Sequence, residues 1–197
     1  MKLIASCKIN KTGVYLNSQL ISRNDLSESN WITELYYDSN KEYPKFHKMD
    51  NLAKLAFLGF LFLEKKININ NYKDDEISLI FSNASSSKTN DLKYINTYTN
   101  KGNPSPSLFV YTLPNILTGE LAILNKWYGE NIFFIQQKFD PKFYIEQIKF
   151  YFSKGAKAIL AGWVESNDKN EECFLFFIEK KEGKLTIEKL NKLYQNE

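Results

Sequence analysis

The chain has a single histidine, His47, and only two cysteines, Cys7 and Cys173, at opposite ends of 197 residues. Two cysteines cannot build a disulfide framework, and no Cys/His spacing suits zinc, so neither a metal nor a cofactor is expected. Basic runs never exceed a pair, as in Lys65-Lys66 and Lys180-Lys181, and 26 basic residues nearly balance 23 acidic ones. A nucleic-acid module would concentrate positive charge, so that class of partner is set aside. Long apolar runs are missing too: residues 56–63 are closed by Glu64 and cannot cross a bilayer. The apolar part of residues 1–7 is too short for a secretory signal, which makes the cytoplasm the expected location.

What is present is enough hydrophobic content (43%) for one substantial core, with aromatics at 15%. The whole chain, 1–197, is expected to form one domain. Residues 3–16 read as a hairpin with a turn at Lys11-Thr12-Gly13. Residues 17–44 are polar and aromatic and read as irregular; whether 23–45 is a lid, a partner contact or a surface loop stays open. Asp50 caps a helix to about Lys65 that is apolar nearly all round, the mark of a buried helix. A short strand at 76–82 is followed by a loop rich in small residues, with Ser85-Ser86-Ser87 either cradling an anion or, more simply, capping a helix at 91–99. Pro114 suits a helix running to Lys126, with Asn115 placed to satisfy free backbone amides and Gly119 to permit a close helix approach. An apolar strand at 131–136, a helix from Pro141 to the stop at Gly155, strands at 158–164 and 173–179, and an amphipathic stretch at 185–194 complete the order. Strands alternating with helices and ending in a hairpin indicate a layered α/β architecture.

Three segments carry a family resemblance. Lys48-Met49-Asp50-Asn51-Leu52-Ala53-Lys54-Leu55-Ala56 resembles the entrance to the first buried helix of ketosynthases. The second segment has Pro104-Ser105-Pro106, Phe109, Leu113-Pro114-Asn115, Gly119 and Leu121-Ala122-Ile123. It closely resembles the ketosynthase-like N-terminal domain family and is the most specific of the three. The third, with Gly155, Gly162 and Glu165, is similar to the strand beyond the nucleophile helix of condensing enzymes. The resemblance implies half of a thiolase fold: a layered sheet with flanking helices and a buried central helix.

It also implies where a nucleophile should stand. Counting from Gly129 or from Gly155 puts that position at Lys138, with Gln136 and Gln137 beside it. Acyl transfer from a carrier thioester needs a thiolate, which neither an amide nor an ammonium supplies. No catalytic residue is therefore assigned, and Lys138 is as readily a solvated helix-end residue as a tunnel plug or ion-pair member. His47 matches no catalytic position of the family and reads as structural; Cys7 and Cys173 read as small buried hydrophobes.

Within the family, the implied role is that of a catalytically inactive subunit resembling a chain length factor. It would pair with a full-length ketosynthase, as in aryl-polyene and related pathways, and stabilise that partner or set acyl length. In that case Leu108, Phe109, Tyr111 and Leu113 are candidates to line the partner's acyl tunnel. Ile132, Phe133, Phe134, Ile135 and Gln136 are candidates for a strand shared across the dimer. An acyl carrier protein is a second implied partner. A homodimeric scaffold or carrier-binding module is the alternative, and an autonomous Cys or Ser hydrolase is a third possibility.

Overall fold

Strand and helix order in the structure, a computed structural model describing residues 1–23, 30–100 and 102–196, is that of an α/β layer fold. The strands are β1 (Lys2–Asn10), β2 (Gly13–Leu16), β3 (Gln19–Ser22), β4 (Ile77–Asn83), β5 (Asn131–Ile135), β6 (Ala158–Ser166) and β7 (Glu171–Glu179). The helices are α1 (Trp31–Asp38), α2 (Asn51–Glu64), α3 (Lys88–Thr99), α4 (Pro106–Val110), α5 (Ile116–Asn125), α6 (Pro141–Ser153) and α7 (Ile187–Gln195). All strands join one sheet in the order β3-β2-β1-β7-β6-β4-β5.

β4, β5 and β6 run parallel, and the β6–β7 and β1–β2 hairpins extend the sheet antiparallel. The central strands are covered on both faces, which explains why Ala158–Ser166 and Glu171–Glu179 read as nearly unbroken apolar runs. On one face Leu160, Val164, Cys173 and Leu175 meet α2, whose Leu55, Ala56 and Leu58 are fully buried. On the other face Ile159, Ala161, Phe174 and Phe176 pack under α6 and α7, around Tyr144 and Leu190. The nearly all-apolar character of α2 follows from its position, enclosed by the sheet, α1 and α5. Asp50 caps it, its carboxylate accepting from the Ala53 amide at 2.9 Å. The outer side of α6 is different: Lys142, Glu146 and Lys149, at helical spacing, are exposed.

Three sequence expectations need correction. Residues 17–44 are not irregular throughout: β3 pairs with β2, and α1 buries Trp31, Ile32, Leu35 and Tyr36 in the α2 core. Residues 24–29, part of the segment left open, lie outside the described residues. Asn115 starts α5 without a side-chain cap; its carbonyl instead accepts from Thr118 Oγ1 at 2.7 Å. Gly119 permits no close approach among the described residues, since a Cβ there would meet none of their atoms outside its own helix turn within 4 Å. Gly162 does make room: a Cβ would press on Leu175 and on Phe81 of the neighbouring strands.

Candidate functional site

Open α/β sheets present chemistry at the carboxyl ends of their parallel strands, here Asn83, Ile135 and Ser166. Asn83, fully buried, closes the loop after β4: its side chain accepts from the Ser86 amide and donates to the Ser86 carbonyl, both at 2.9 Å. Glu165, also buried, turns its carboxylate into the same loop. Oε2 accepts from the amides of Ala84 (2.9 Å) and Ser85 (3.3 Å), and Oε1 accepts from Ser166 (3.2 Å). The Ala84 and Ser85 amides are thus filled by the chain's own carboxylate and the Ser86 amide by Asn83, which leaves a structural loop; the expected cap is not made, since Ser87 stands at the N-cap of α3 with its hydroxyl on the Thr112 carbonyl instead.

Residues 136–138, where the resemblance would place a nucleophile, lie after β5. The ladder to β4 closes with the Gln136 amide on the Asn83 carbonyl at 2.8 Å, and Gln137 and Lys138 then run into solvent. Phe139 turns back into the core and stacks on Tyr194 of α7, ring centroids 4.4 Å apart. Asp140 caps α6, accepting from the Lys142 amide at 2.9 Å. A carboxylate, not a reactive thiol, therefore uses the helix N-terminus. Both cysteines are fully buried, and burial holds each thiol protonated well above its ordinary range. His47 is exposed and sits edge-on to Tyr36 and Phe46, at centroid separations of 5.5 and 5.8 Å. Tyr36, Tyr37, Tyr43, Pro44 and His47 line an open surface groove of about 470 Å³ that nothing in the sequence had signalled. Among the described residues no group of three His, Cys, Asp or Glu is placed to hold a metal, and no helix is long and apolar enough to cross a membrane.

The four tunnel candidates fall on two sides. Phe109 (57% exposed, beside Tyr94) and Leu113 (56%) face outward, and Leu108 is half-buried. Tyr111 turns inward, donating its hydroxyl to Glu120 Oε1 at 3.1 Å, while Glu120 Oε2 pairs with Lys45 at 2.7 Å. Tyr111 thus belongs to this chain's own core. The α3–α4 pair is held by the Asn90 side chain donating to the Leu108 carbonyl (2.7 Å) and Ser87 Oγ to the Thr112 carbonyl (2.6 Å).

Asp50 adds a pH-sensitive element. Burial raises its pKa from 3.8 to about 6, against the opposing pull of the Ala53 amide, Lys93 and Lys54 and with a small further push from Glu120. The folded state therefore holds the proton more tightly, so Asp50 contributes stability below about pH 4 that is lost as pH rises through 6. Asp50→Asn keeps a cap acceptor and removes the titration. The variant is expected to match wild type near pH 4 and to exceed it by about 2 kcal/mol at pH 7. Urea denaturation at both pH values checks this; a constant difference would refute it.

β5 is one edge of the sheet and β3 is the other. The Leu79 amide donates to the Glu130 carbonyl, and the Gln136 amide to the Asn83 carbonyl. In a parallel ladder this turns the backbone groups of Ile132 and Phe134 toward β4 and those of Asn131, Phe133 and Ile135 away from it. The outward groups are left without a strand, and Ile135 is 56% exposed. The strand candidates thus all stand at an open edge: Ile132 and Phe134 pack partly on the α6 side and Phe133 on the α2 side.

No protein-family model and no curated protein matches this sequence. Solved structures do. The ketosynthase ApeO in complex with its chain length factor ApeC from Xenorhabdus doucetiae matches with TM-score 0.61 and 12% identity over 93% of this chain and 81% of that one. The ishigamide ketosynthase/chain length factor matches with TM-score 0.65 and 13% identity, over 90% and 61%. The AntDE ketosynthase with its acyl-carrier protein AntF matches with TM-score 0.61 and 10% identity, over 98% and 64%. The chain spans less than two thirds of the length of the last two. Its seven-stranded sheet and layered helices thus have the fold of thiolase-type ketosynthase and chain-length-factor structures.

Proposed function

We propose that this chain is a non-catalytic ketosynthase-like subunit that pairs with a complete ketosynthase and stabilises it or limits its acyl length. Polyene, polyketide or fatty-acid-type biosynthesis is the setting. The open edge of β5 carries the proposal: three residues present unpaired backbone groups on an apolar strand, a state that invites another chain. The solvated Lys138 and the Asp140 cap where a thiolate would be needed support assigning the condensation chemistry to the partner. Phe109 and Leu113, outward on the α4 side, are the residues available to line the partner's tunnel.

Co-expression with a complete, cysteine-bearing ketosynthase from the same genome tests the pairing. Ile135→Pro removes one outward amide and no bond to β4. The two wild-type chains are expected to co-purify, and Ile135→Pro to reduce recovered ketosynthase at least ten-fold with an unchanged melting temperature. The proposal fails if the chains never co-purify and the ketosynthase condenses malonyl thioesters equally well alone. Phe109→Ala reports on the tunnel role through product length.

A carrier-binding role has one observation in its favour. Lys88, Lys93 and Lys169, against the single carboxylate of Asp168, line a groove of about 440 Å³ beside the carboxyl ends of β4 and β6. That positive surface suits an acidic carrier protein.

A further inference from the structure

The groove beside α1 is built from rings. Asn40, with φ of 53°, follows the end of α1 in the left-handed region and turns the chain back, and Pro44 opens the 3₁₀ turn Pro44–Lys48. The Tyr43 amide donates to the Tyr36 hydroxyl at 2.7 Å and closes this loop. Two rings are fixed from behind: Tyr36 stacks on the buried Phe46, centroids 3.9 Å apart, and Tyr43 on the buried Phe57 of α2 at 5.1 Å. With the exposed Tyr37, Pro44 and His47 they wall the open groove of about 470 Å³. What these walls offer is hydrogen-bond donors. Among the described residues nothing accepts from the Tyr36, Tyr37 or Tyr43 hydroxyl, and the side chains of Asn40 and His47 add N–H groups. Charge is nearly balanced: Lys41 is met by Glu64 at the end of α2, and Glu42, exposed, is the one carboxylate of the lining and has no ion-pair partner among the described residues.

We infer that this groove binds a proline-rich segment of another protein, held as a polyproline II helix, with a basic residue of that segment against Glu42. Proline lacks the backbone N–H, so such a segment presents carbonyl acceptors without matching donors, and its backbone makes no internal hydrogen bonds. An α-helix or a paired strand has its carbonyls already bonded and leaves the groove's hydroxyls without acceptors. Pyrrolidine rings laid on tyrosine and proline side chains bury apolar area on both partners, and the preformed helix loses little entropy on docking. A small organic cation fits less well, since it would meet donor hydroxyls and the Lys41 ammonium. None of the lining residues belongs to β5 or α4, so the test of this site does not depend on the pairing proposed above.

Fluorescence anisotropy of a dye-labelled polyproline peptide ending in one arginine, titrated with the full chain, tests this. Saturable binding with a Kd below about 1 mM is expected, and a glycine-serine peptide of the same length and charge is expected to bind at least ten-fold more weakly. Tyr37→Ala removes an exposed ring and is expected to weaken binding at least ten-fold, with a melting temperature within about 2 °C of wild type. Glu42→Lys, also at an exposed position, is expected to weaken it about five-fold, an effect that added salt erases. No saturation by about 1 mM, equal binding of the two peptides, or wild-type affinity in both variants overturns the inference. So does binding of tetramethylammonium without binding of the peptide, which would make the groove a cation site.

Discussion

Gly129→Ala is expected to cost roughly 3 kcal/mol, or about 10 °C in melting temperature for a chain of this size. The segment before β5 is laced to the start of β4: the Tyr128 amide donates to the Asp74 carbonyl at 2.6 Å, and the Leu79 amide to the Glu130 carbonyl at 2.8 Å. A Cβ on residue 129 would overlap the Ile77 carbonyl oxygen and come within 3.0 Å of its carbon and 3.1 Å of the Asp75 carbonyl oxygen. All three are main-chain atoms, so no rotamer change relieves the overlap. The two backbones must separate, and the ladder from Leu79↔Asn131 to Asn83↔Ile135 starts out of register. Loss of the ordered β5 edge should accompany loss of stability. Thermal denaturation together with hydrogen exchange of the Ile132 and Phe134 amides checks both; a melting temperature within 2 °C of wild type would sink the argument.

Glu165→Ala is expected to have a comparable effect, about 3 kcal/mol, for a different reason. The carboxylate is 3% exposed and accepts from three backbone amides, and deleting it strands donors that water reaches poorly. The loop it organises leads through Ser87 and Asn90 to the Thr112 and Leu108 carbonyls, so α4 and its outward Phe109 should loosen as well. Glu165→Gln, which keeps the shape and one acceptor, should lose about half as much. Unchanged exchange rates at Ala84 and Ser85 in Glu165→Ala would show that these bonds carry little.

Much of this fold was legible because its signals are local. Asp50 and the nearly all-apolar stretch after it identify α2. Pro141 marks the start of α6, and two runs of apolar residues around a polar turn identify β6 and β7. What was missed in residues 17–44 had a signal: Trp31, Ile32, Leu35 and Tyr36 repeat at helical spacing. Eight residues of this kind amount to two turns, and tyrosines among polar neighbours read equally well as loop; only burial against α2 makes the helix. Asn115 and Gly119 misled in the opposite way. Each is a residue type with a familiar local use, a cap and a close-packing site, and neither has that use within this chain.

The candidate site divides along the same line. That no cysteine, serine or threonine stands at residues 136–138, where the resemblance places a nucleophile, is legible in the sequence alone. Local periodicity and capping, which act over a few residues, likewise made α2, α6 and the β1–β2 and β6–β7 hairpins legible, whereas α1 and β3 were not. Only the tertiary structure decided that Glu165 fills the loop after β4, that Tyr111 turns inward while Phe109 and Leu113 turn out, and that β5, like β3 at the far side, is left at an edge. Strand order is a long-range choice: β6 and β7, apolar on both faces, take the covered centre of the sheet, and β5, with only partly buried side chains, takes the margin. An unpaired edge exists only once every other strand has found its neighbours, and no local pattern encodes it.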